Sequence, residues 1–175
     1  MSVEMKDSGI DWIGEIPKHW NIEKPKNMFS LRKTKGNTEA VLLAATQKYG
    51  MYPQHLLEGV VKVSTDTDMQ SFKTVHKNDY VISLRSFQGG FEMSDYEGVC
   101  TPAYQVFYAK NLVNYRYYKF LFKTEDFISK LNSFTIGIRE GKNIQYDDFA
   151  RLTFLPVPSV EEQSRIANFL DKKCA

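Results

Sequence analysis

Leu155-Pro156-Val157-Pro158-Ser159-Val160-Glu161-Glu162-Gln163-Ser164-Arg165-Ile166-Ala167-Asn168-Phe169-Leu170 is the most legible stretch of this 175-residue sequence. Residues 152–157 read as a strand, and Pro156 and Pro158 stop it because proline offers no amide to a ladder. Ser159 is a helix N-cap, and Glu162 three positions on completes a capping box, so a helix starts at about Val160. Ile166, Phe169 and Leu170 share one face of it. The sequence ends at Ala175 after about four turns without a glycine stop signal, so the expectation is an amphipathic helix cut short. Its apolar stripe then awaits a partner or the remainder of a longer protein.

Upstream, Tyr117, Leu121, Ile128 and Leu131 keep roughly a 3.6-residue period, flanked by Phe120 and Phe127. Asn114 is an N-cap, and Thr124 followed by Glu125 and Asp126 is a second one, so the region reads as one helix or as two short ones. Either reading buries an aromatic face. Strands are expected at residues 41–46, 59–63, 80–84 and 103–108, with Asn78-Asp79, Gly89-Gly90, Gly98 and Pro102 turning the chain between them. Residues 27–33 form a short helix or strand, and residues 147–150 a single helical turn. The N-terminal arm, with Trp12 and Trp20 on either side of Pro17, is expected to be ordered and packed on the body.

A 42% hydrophobic, 25% charged chain of this length fits one globular domain and excludes a disordered or fibrous protein. No apolar run approaches the roughly 18 residues that would span a bilayer. The first residues lack a basic start, an apolar middle and a cleavage site, so a cytoplasmic setting is expected. Cys100 and Cys174 have no partners at metal-ligand spacing, which argues for two reduced thiols rather than a disulfide framework or a zinc site. Aromatics make up 14% of the chain, and most must be core.

Catalytic chemistry finds little support. The segment Gly137-Ile138-Arg139-Glu140-Gly141-Lys142-Asn143 approaches a phosphate loop but has three residues between its glycines instead of four, and Asn where Ser or Thr should follow Lys. His19, His55 and His76 are not spaced as metal ligands, and no nucleophile elbow exists. A dispersed triad of Ser83, His76 and Asp79 has only its residue types in its favour. Asp147 and Asp148 are adjacent, so on a helix they diverge and serve capping or solvation.

The formal charge of +2 hides an uneven distribution. Residues 24–38 carry Lys24, Lys26, Arg32, Lys33 and Lys35 without an acid, and residues 98–124 carry Lys110, Arg116, Lys119 and Lys123 without one. Alone, each reads as a solvated face; together they favour an anionic partner. Two loops add side chains suited to nucleic acid. One runs Thr135 to Tyr146, with Arg139, Lys142, Asn143 and Gln145. The other is Arg85-Ser86-Phe87-Gln88-Gly89-Gly90, whose glycines would let a ligand approach the backbone. Arg can be bidentate to guanine and Asn or Gln to adenine, whereas Lys serves phosphates.

With those residues in view, the chain resembles a target recognition domain from the specificity (S) subunit of type I restriction-modification enzymes. The landmarks are residues 12–20 (WIGEIPKHW), Asn78-Asp79-Tyr80-Val81-Ile82 with Asn78 in place of the usual glycine, Thr101-Pro102-Ala103-Tyr104, Gly137-Ile138-Arg139 with Lys142-Asn143-Ile144, and the strand-proline-helix junction quoted above. Their order along nearly the whole chain carries the resemblance. It implies an α+β fold: a single domain over residues 1–158 with a mixed, twisted sheet and a few helices, then from residue 159 the start of a long spacer helix. It implies a non-catalytic module that reads one half of a split target on double-stranded DNA. S-adenosylmethionine would belong to methyltransferase (M) subunits, and ATP and Mg to the restriction (R) subunit. A second recognition domain, or a second copy of this chain, would read the other half. The chain would be a half-subunit or, in preference, a fragment. Lys24-Pro25-Lys26 departs from the family's Lys-rich entry to its first helix, which is therefore expected to start later here.

No motif transfers the base-reading residues. Chemistry and loop position select Arg85, Gln88, Arg139, Lys142, Asn143 and Tyr146, with Lys33, Lys35, Gln47, Lys48 and Tyr49 as phosphate contacts, and Ile166, Phe169 and Leu170 for protein partners. The competing class is an assembly scaffold without DNA readout. A small nuclease or hydrolase comes third.

Overall fold

The computed structural model describes residues 3–37, 39–59, 69–134 and 143–174. The chain opens with a hairpin of β1 (Met5–Asp7) and β2 (Glu15–Pro17), whose Trp12 packs edge-on against Phe127 at 5.7 Å. β3 (Asn21–Glu23) leads into α1 (Pro25–Met28), a single turn with Pro25 at its first position, where its fixed φ suits a helix and its missing amide leaves no bond unmade. The expected delay is thus small: the proline starts the helix. β4 (Phe29–Leu31), β5 (Leu43–Thr46), β6 (Gly50–Pro53), β7 (Lys73–Val75) and β8 (Tyr80–Ile82) follow. Then come α2 (Ser86–Gly89), β9 (Glu92–Met93), β10 (Gly98–Cys100) and β11 (Gln105–Ala109). The expected strand at 59–63 falls mostly outside the described residues. Asn78 has φ 71°, the left-handed region that glycine enters freely and asparagine tolerates best among other residues, so Asn can stand where the resemblance leads one to expect glycine.

The helical region resolves as two helices, α3 (Tyr115–Leu121) and α4 (Glu125–Ser133). The Asn114 side chain accepts from the amides of Arg116 and Tyr117, and Thr124 from that of Phe127. α5 (Tyr146–Leu152), β12 (Leu155–Val157) and α6 (Val160–Cys174) complete the chain. β12 pairs only with β3, so Pro156 costs no ladder bond on an unpaired side.

The central sheet has the order β4-β11-β8-β9, all antiparallel; among the described residues, parallel pairing is limited to isolated bridges at Leu42↔Val99 and Met51↔Ser94. β8 is buried along its whole length because both faces are covered. Alternation divides its side chains: Tyr80 and Ile82, with Phe107 of β11, point into a large cluster under α3, α4 and α5, while Val81 and Val106 join Leu43, Met51, Val75 and Cys100 beneath the β5–β6 hairpin. Phe91, Phe122, Phe127 and Phe149 fill the large cluster at centroid spacings of 5.0–6.1 Å.

α6 docks through polar contacts. The Ser159/Glu162 capping box forms as expected, with the Ser159 hydroxyl 3.0 Å from the Glu162 carboxylate and the Glu162 amide donating back at 3.3 Å. Burial alone would push the Glu162 carboxyl up, but hydrogen bonds from His19, Trp20 and Ser159 outweigh it and bring it down to about 2. The buried Gln163 donates to the Pro158 carbonyl and accepts from the Asn114 amide. Arg116 reaches Asn168 at 2.8 Å and pairs with Asp171. Of the three residues assigned to protein partners, Ile166 is half-buried and packs against the domain's own core, Leu170 is half-buried, and Phe169 stands out at 59% exposure. Among the described residues, no helix is long and apolar enough to cross a membrane.

Candidate functional site

Four of the residues chosen for nucleic acid, Arg85, Gln47, Lys48 and Tyr49, meet where the β5–β6 hairpin overhangs α2. Thr46 shapes the tip: its hydroxyl accepts from the Tyr49 amide at 2.9 Å and donates to the Gly50 carbonyl at 3.0 Å. Gln47, Lys48 and Tyr49 are thereby pushed into solvent. Behind them, α2 is pinned by Asn132, which donates to the Phe87 carbonyl at 2.8 Å, and by Lys123, which donates to the Gly89 carbonyl at 2.9 Å. Arg85 and Gln88 are left exposed on its outer side.

Two adjoining clefts share the hairpin tip. The larger, about 530 Å³, is walled by residues 45–49 on one side and by Ser83, Leu84, Arg85 and Tyr104 on the other. The smaller, about 330 Å³, runs from the same tip to Tyr52, Asp95, Tyr96 and Lys119. Glu92 lines both. It is buried, which raises its carboxyl, while the Lys123 ammonium 2.5 Å away opposes that rise. Glu92 and Lys123 therefore neutralise one another, leaving Arg85, Lys48 and Lys119 as the cations facing solvent here.

A third cleft of about 310 Å³ lies among Arg32, Lys33, Lys35 and Lys73. Lys73 donates to the Tyr104 carbonyl, which connects this basic patch to the wall of the larger cleft. Burial lowers Lys73, and the neighbouring Lys35 lowers it further. Arg32 is not free to bind phosphate. It forms a bidentate pair with the buried Asp79 at 2.5 and 2.8 Å, which raises the guanidinium, and lies 4.5 Å from the Tyr108 ring centre. Asp79 also accepts from the His76 amide. His76 turns to Glu97 at 2.6 Å, and Ser83 bonds to Ser86, so these three residues form no triad.

The selected residues separate clearly. Arg85, Gln47, Lys48 and Tyr49 meet at the clefts, Gln88 stands beside them on α2, and Lys33 and Lys35 line the basic patch. Arg139 and Lys142 lie outside the described residues. Asn143 is exposed, and the chain after it is anchored by Gln105, which donates to the Ile144 carbonyl at 3.1 Å and accepts from the Tyr146 amide at 2.9 Å. Gln105 pairs with Ile82, immediately before the Ser83–Arg85 wall, so Ile144 and Tyr146 are held beside the strand that leads into that wall. Tyr146 is corrected as a base contact. It is 7% exposed, its ring is 5.5 Å from that of Phe107, and burial pushes its phenol up to about 12.

The glycines of α2 also have another use than expected. A Cβ on Gly89 would come within 2.8 Å of the Gln47 side chain, so the close approach is made by this chain's own hairpin. Tyr52, Tyr96, Tyr104 and Lys73 were missed from sequence, since nothing local joins Asp95-Tyr96 to a hairpin more than forty residues upstream. Among the described residues, no group of three His, Cys, Asp or Glu could hold a metal ion.

The family model for the type I restriction modification DNA specificity domain matches residues 17–173. The chain belongs to that family. No curated protein sequence matches it. Its fold is similar to that of the HsdS subunit from Thermoanaerobacter tengcongensis, with a TM-score of 0.59 at 15% identity over 96% of this chain and 39% of that one. It is similar to the same degree, 0.59 at 15% identity, to a chain from a structure on complex assembly and conformational transition of the type I R-M system, over 90% of this chain and 38% of that one. This specificity domain thus spans about two fifths of the length of either solved chain. Its family is one of recognition modules rather than catalysts.

Proposed function

We propose that this domain reads one half of a bipartite double-stranded DNA target, with the larger cleft and the tips around it facing the duplex. One observation carries the reading: Arg85, Gln47, Lys48 and Tyr49, from segments about forty residues apart, are brought to one rim, with Lys33, Lys35 and Lys73 continuing the positive charge beyond Tyr104. Arg85, Gln88 and Asn143 have the donor and acceptor patterns that distinguish base edges; the lysines have the point charges that hold phosphates. In this reading α6 begins the spacer that sets the distance to a second recognition domain or a second copy of the chain. M subunits carrying S-adenosylmethionine, and through them an R subunit using ATP and Mg, would act at the site chosen here. The setting would be cytoplasmic.

The test is selection of randomised duplex DNA by the chain at low and moderate salt, followed by sequencing. Enrichment of a short motif, relaxed at single positions by Arg85→Ala or Gln88→Ala, is the expected result. Retention without enrichment that vanishes as salt rises would refute base readout and leave phosphate contact alone. Charge reversal of Arg139 and Lys142 is expected to abolish binding with the fold intact; unchanged binding would remove that loop from the interface.

A further inference from the structure

Of the aromatic rings among the described residues, only Tyr49, Tyr96, Tyr115 and Phe169 are more than about a third exposed, and two of the four meet at the smaller cleft. Tyr49 lies 4.9 Å from Tyr52 at 33°, and Tyr96 stands edge-on to Tyr52 at 5.7 Å and 85°. The three rings form a ladder that turns a right angle, with Tyr49 and Tyr96, 48% and 38% exposed, at its open ends. Tyrosines kept in solvent this way leave part of their ring surface uncovered, in a chain most of whose other rings are half-buried or packed into a core. The charges around them are not balanced. Three lysines, Lys48, Lys119 and Lys123, line the cleft against two acids, Asp95 and Glu92, the latter paired with Lys123 and also felt by Lys119, and the Lys48 ammonium rests over the Tyr49 ring at 4.9 Å.

We propose that the smaller cleft is a binding site for a single unpaired nucleobase, stacked on Tyr49 or Tyr96, with its flanking phosphate held by Lys48 and Lys119. A base inside a duplex presents only its edge to a protein, because both its faces are covered by neighbours; an aromatic face has nothing to stack on until a base leaves the helix. The larger cleft, rimmed by Arg85, offers edge-reading groups, and the smaller offers ring faces. The two chemistries lie side by side and share the Gln47-Lys48-Tyr49 tip. Stacking tolerates any base, so the site would bind extruded or bulged nucleotides without sequence preference. The inference rests on the reading that DNA lies across this face.

The test uses a duplex with one unpaired 2-aminopurine as a bulge, and the same duplex with that base paired to thymine, titrated with the chain at moderate salt. Quenching of the bulged probe and tighter binding of that duplex are expected. Tyr49→Ala and Tyr96→Ala should each weaken binding of the bulged duplex about 10-fold, the effect of losing one base–aromatic stack, and leave the paired duplex unaffected. Tyr96→Phe should retain it, since the ring and not the hydroxyl is used. Equal affinity for the two duplexes, absent quenching, or indifference to both alanine substitutions would overturn the proposal while leaving duplex recognition intact. Failure to bind either duplex would remove both readings. Both rings are exposed, so the alanine variants are expected to fold, and circular dichroism checks it.

Discussion

The two faces of the central sheet are built from different materials. One carries Phe29, Tyr80, Phe91, Phe107, Phe122, Phe127 and Phe149 against three helices; the other carries Leu43, Met51, Val75, Val81, Cys100 and Val106 beneath a hairpin. Large rings bury the most apolar area per residue and interlock edge to face, so the helix face holds the greater part of the stabilising contacts. The aliphatic face is thinner, and the hairpin tip Gln47-Lys48-Tyr49 rises from its outer rim. Stability is thus concentrated on one side of the sheet, and the hairpin on the other can change its tip without disturbing the aromatic core.

The largest expected effect breaks that division from the helix side. Phe122→Ala empties the centre of the aromatic cluster and should cost about 3–5 kcal/mol in urea unfolding. Val106→Ala, on the opposite face of the same sheet, should cost only about 2 kcal/mol, the value of its lost methyls and a small void. Equal losses would show that the two faces share the stability.

Adjacent glycines sharpen the comparison further. Gly90 has φ 71°, and a Cβ there would lie 1.9 Å from the Phe122 carbonyl oxygen, a backbone atom that cannot yield. Gly90→Ala should destabilise by about 3 kcal/mol. Gly89→Ala meets only the flexible end of Gln47, so unfolding should move by less than about 1 kcal/mol, while the displaced Gln47 alters DNA selection at the rim. A stability loss as large as that of Gly90→Ala would mean that Gln47 supports the fold rather than the site.

Sequence reading reached what is local. Asn114, Thr124 and Ser159 with Glu162 cap the helices they were expected to cap, because capping depends on residues within four positions. The burial of most aromatics followed from composition. What escaped it depends on register across long separations. Tyr146 shares a polar neighbourhood with Asn143, yet the helical turn that begins at Tyr146 aims its ring at Phe107. Ile166 and Phe169 read as one stripe, but the first packs against the large cluster and the second stays open. Arg32 looked like one more cation of a basic run until Asp79, forty-seven positions on, was found to hold it. Of the candidate interface, the tips were legible as loops of suitable chemistry; their meeting at one rim, and the presence there of Tyr96, were not.

A smaller effect concerns the junction between α6 and the N-terminal arm. Glu162 has a depressed carboxyl, so its ionised form stabilises the fold above the ordinary carboxylate range, and that contribution is lost as pH falls from about 4.5 through about 2. Wild-type stability should therefore decline over this window more steeply than that of Glu162→Gln, which is less stable near neutrality but flatter in acid. Urea midpoints at pH 7, 4.5 and 3 measure it. Parallel curves would show that His19 and Trp20 do not depend on that charge to hold the helix.

The smallest effect on the fold is the most specific to the recognition face. Lys33 and Lys35 are exposed and make no ion pair with any described residue, so replacing both by alanine should change stability by no more than about 0.5 kcal/mol. If each lies against a phosphate, the plot of log affinity against log salt should flatten by about 0.9 per lysine, with the selected sequence unchanged. Arg85→Ala should do the opposite, relaxing selection at one position while the slope changes little beyond its single charge. The same assay thus separates the basic patch, which holds the duplex, from the cleft rim, which reads it. A double lysine variant with an unaltered slope would place the DNA elsewhere on the rim and restrict the interface to the two clefts beside the hairpin.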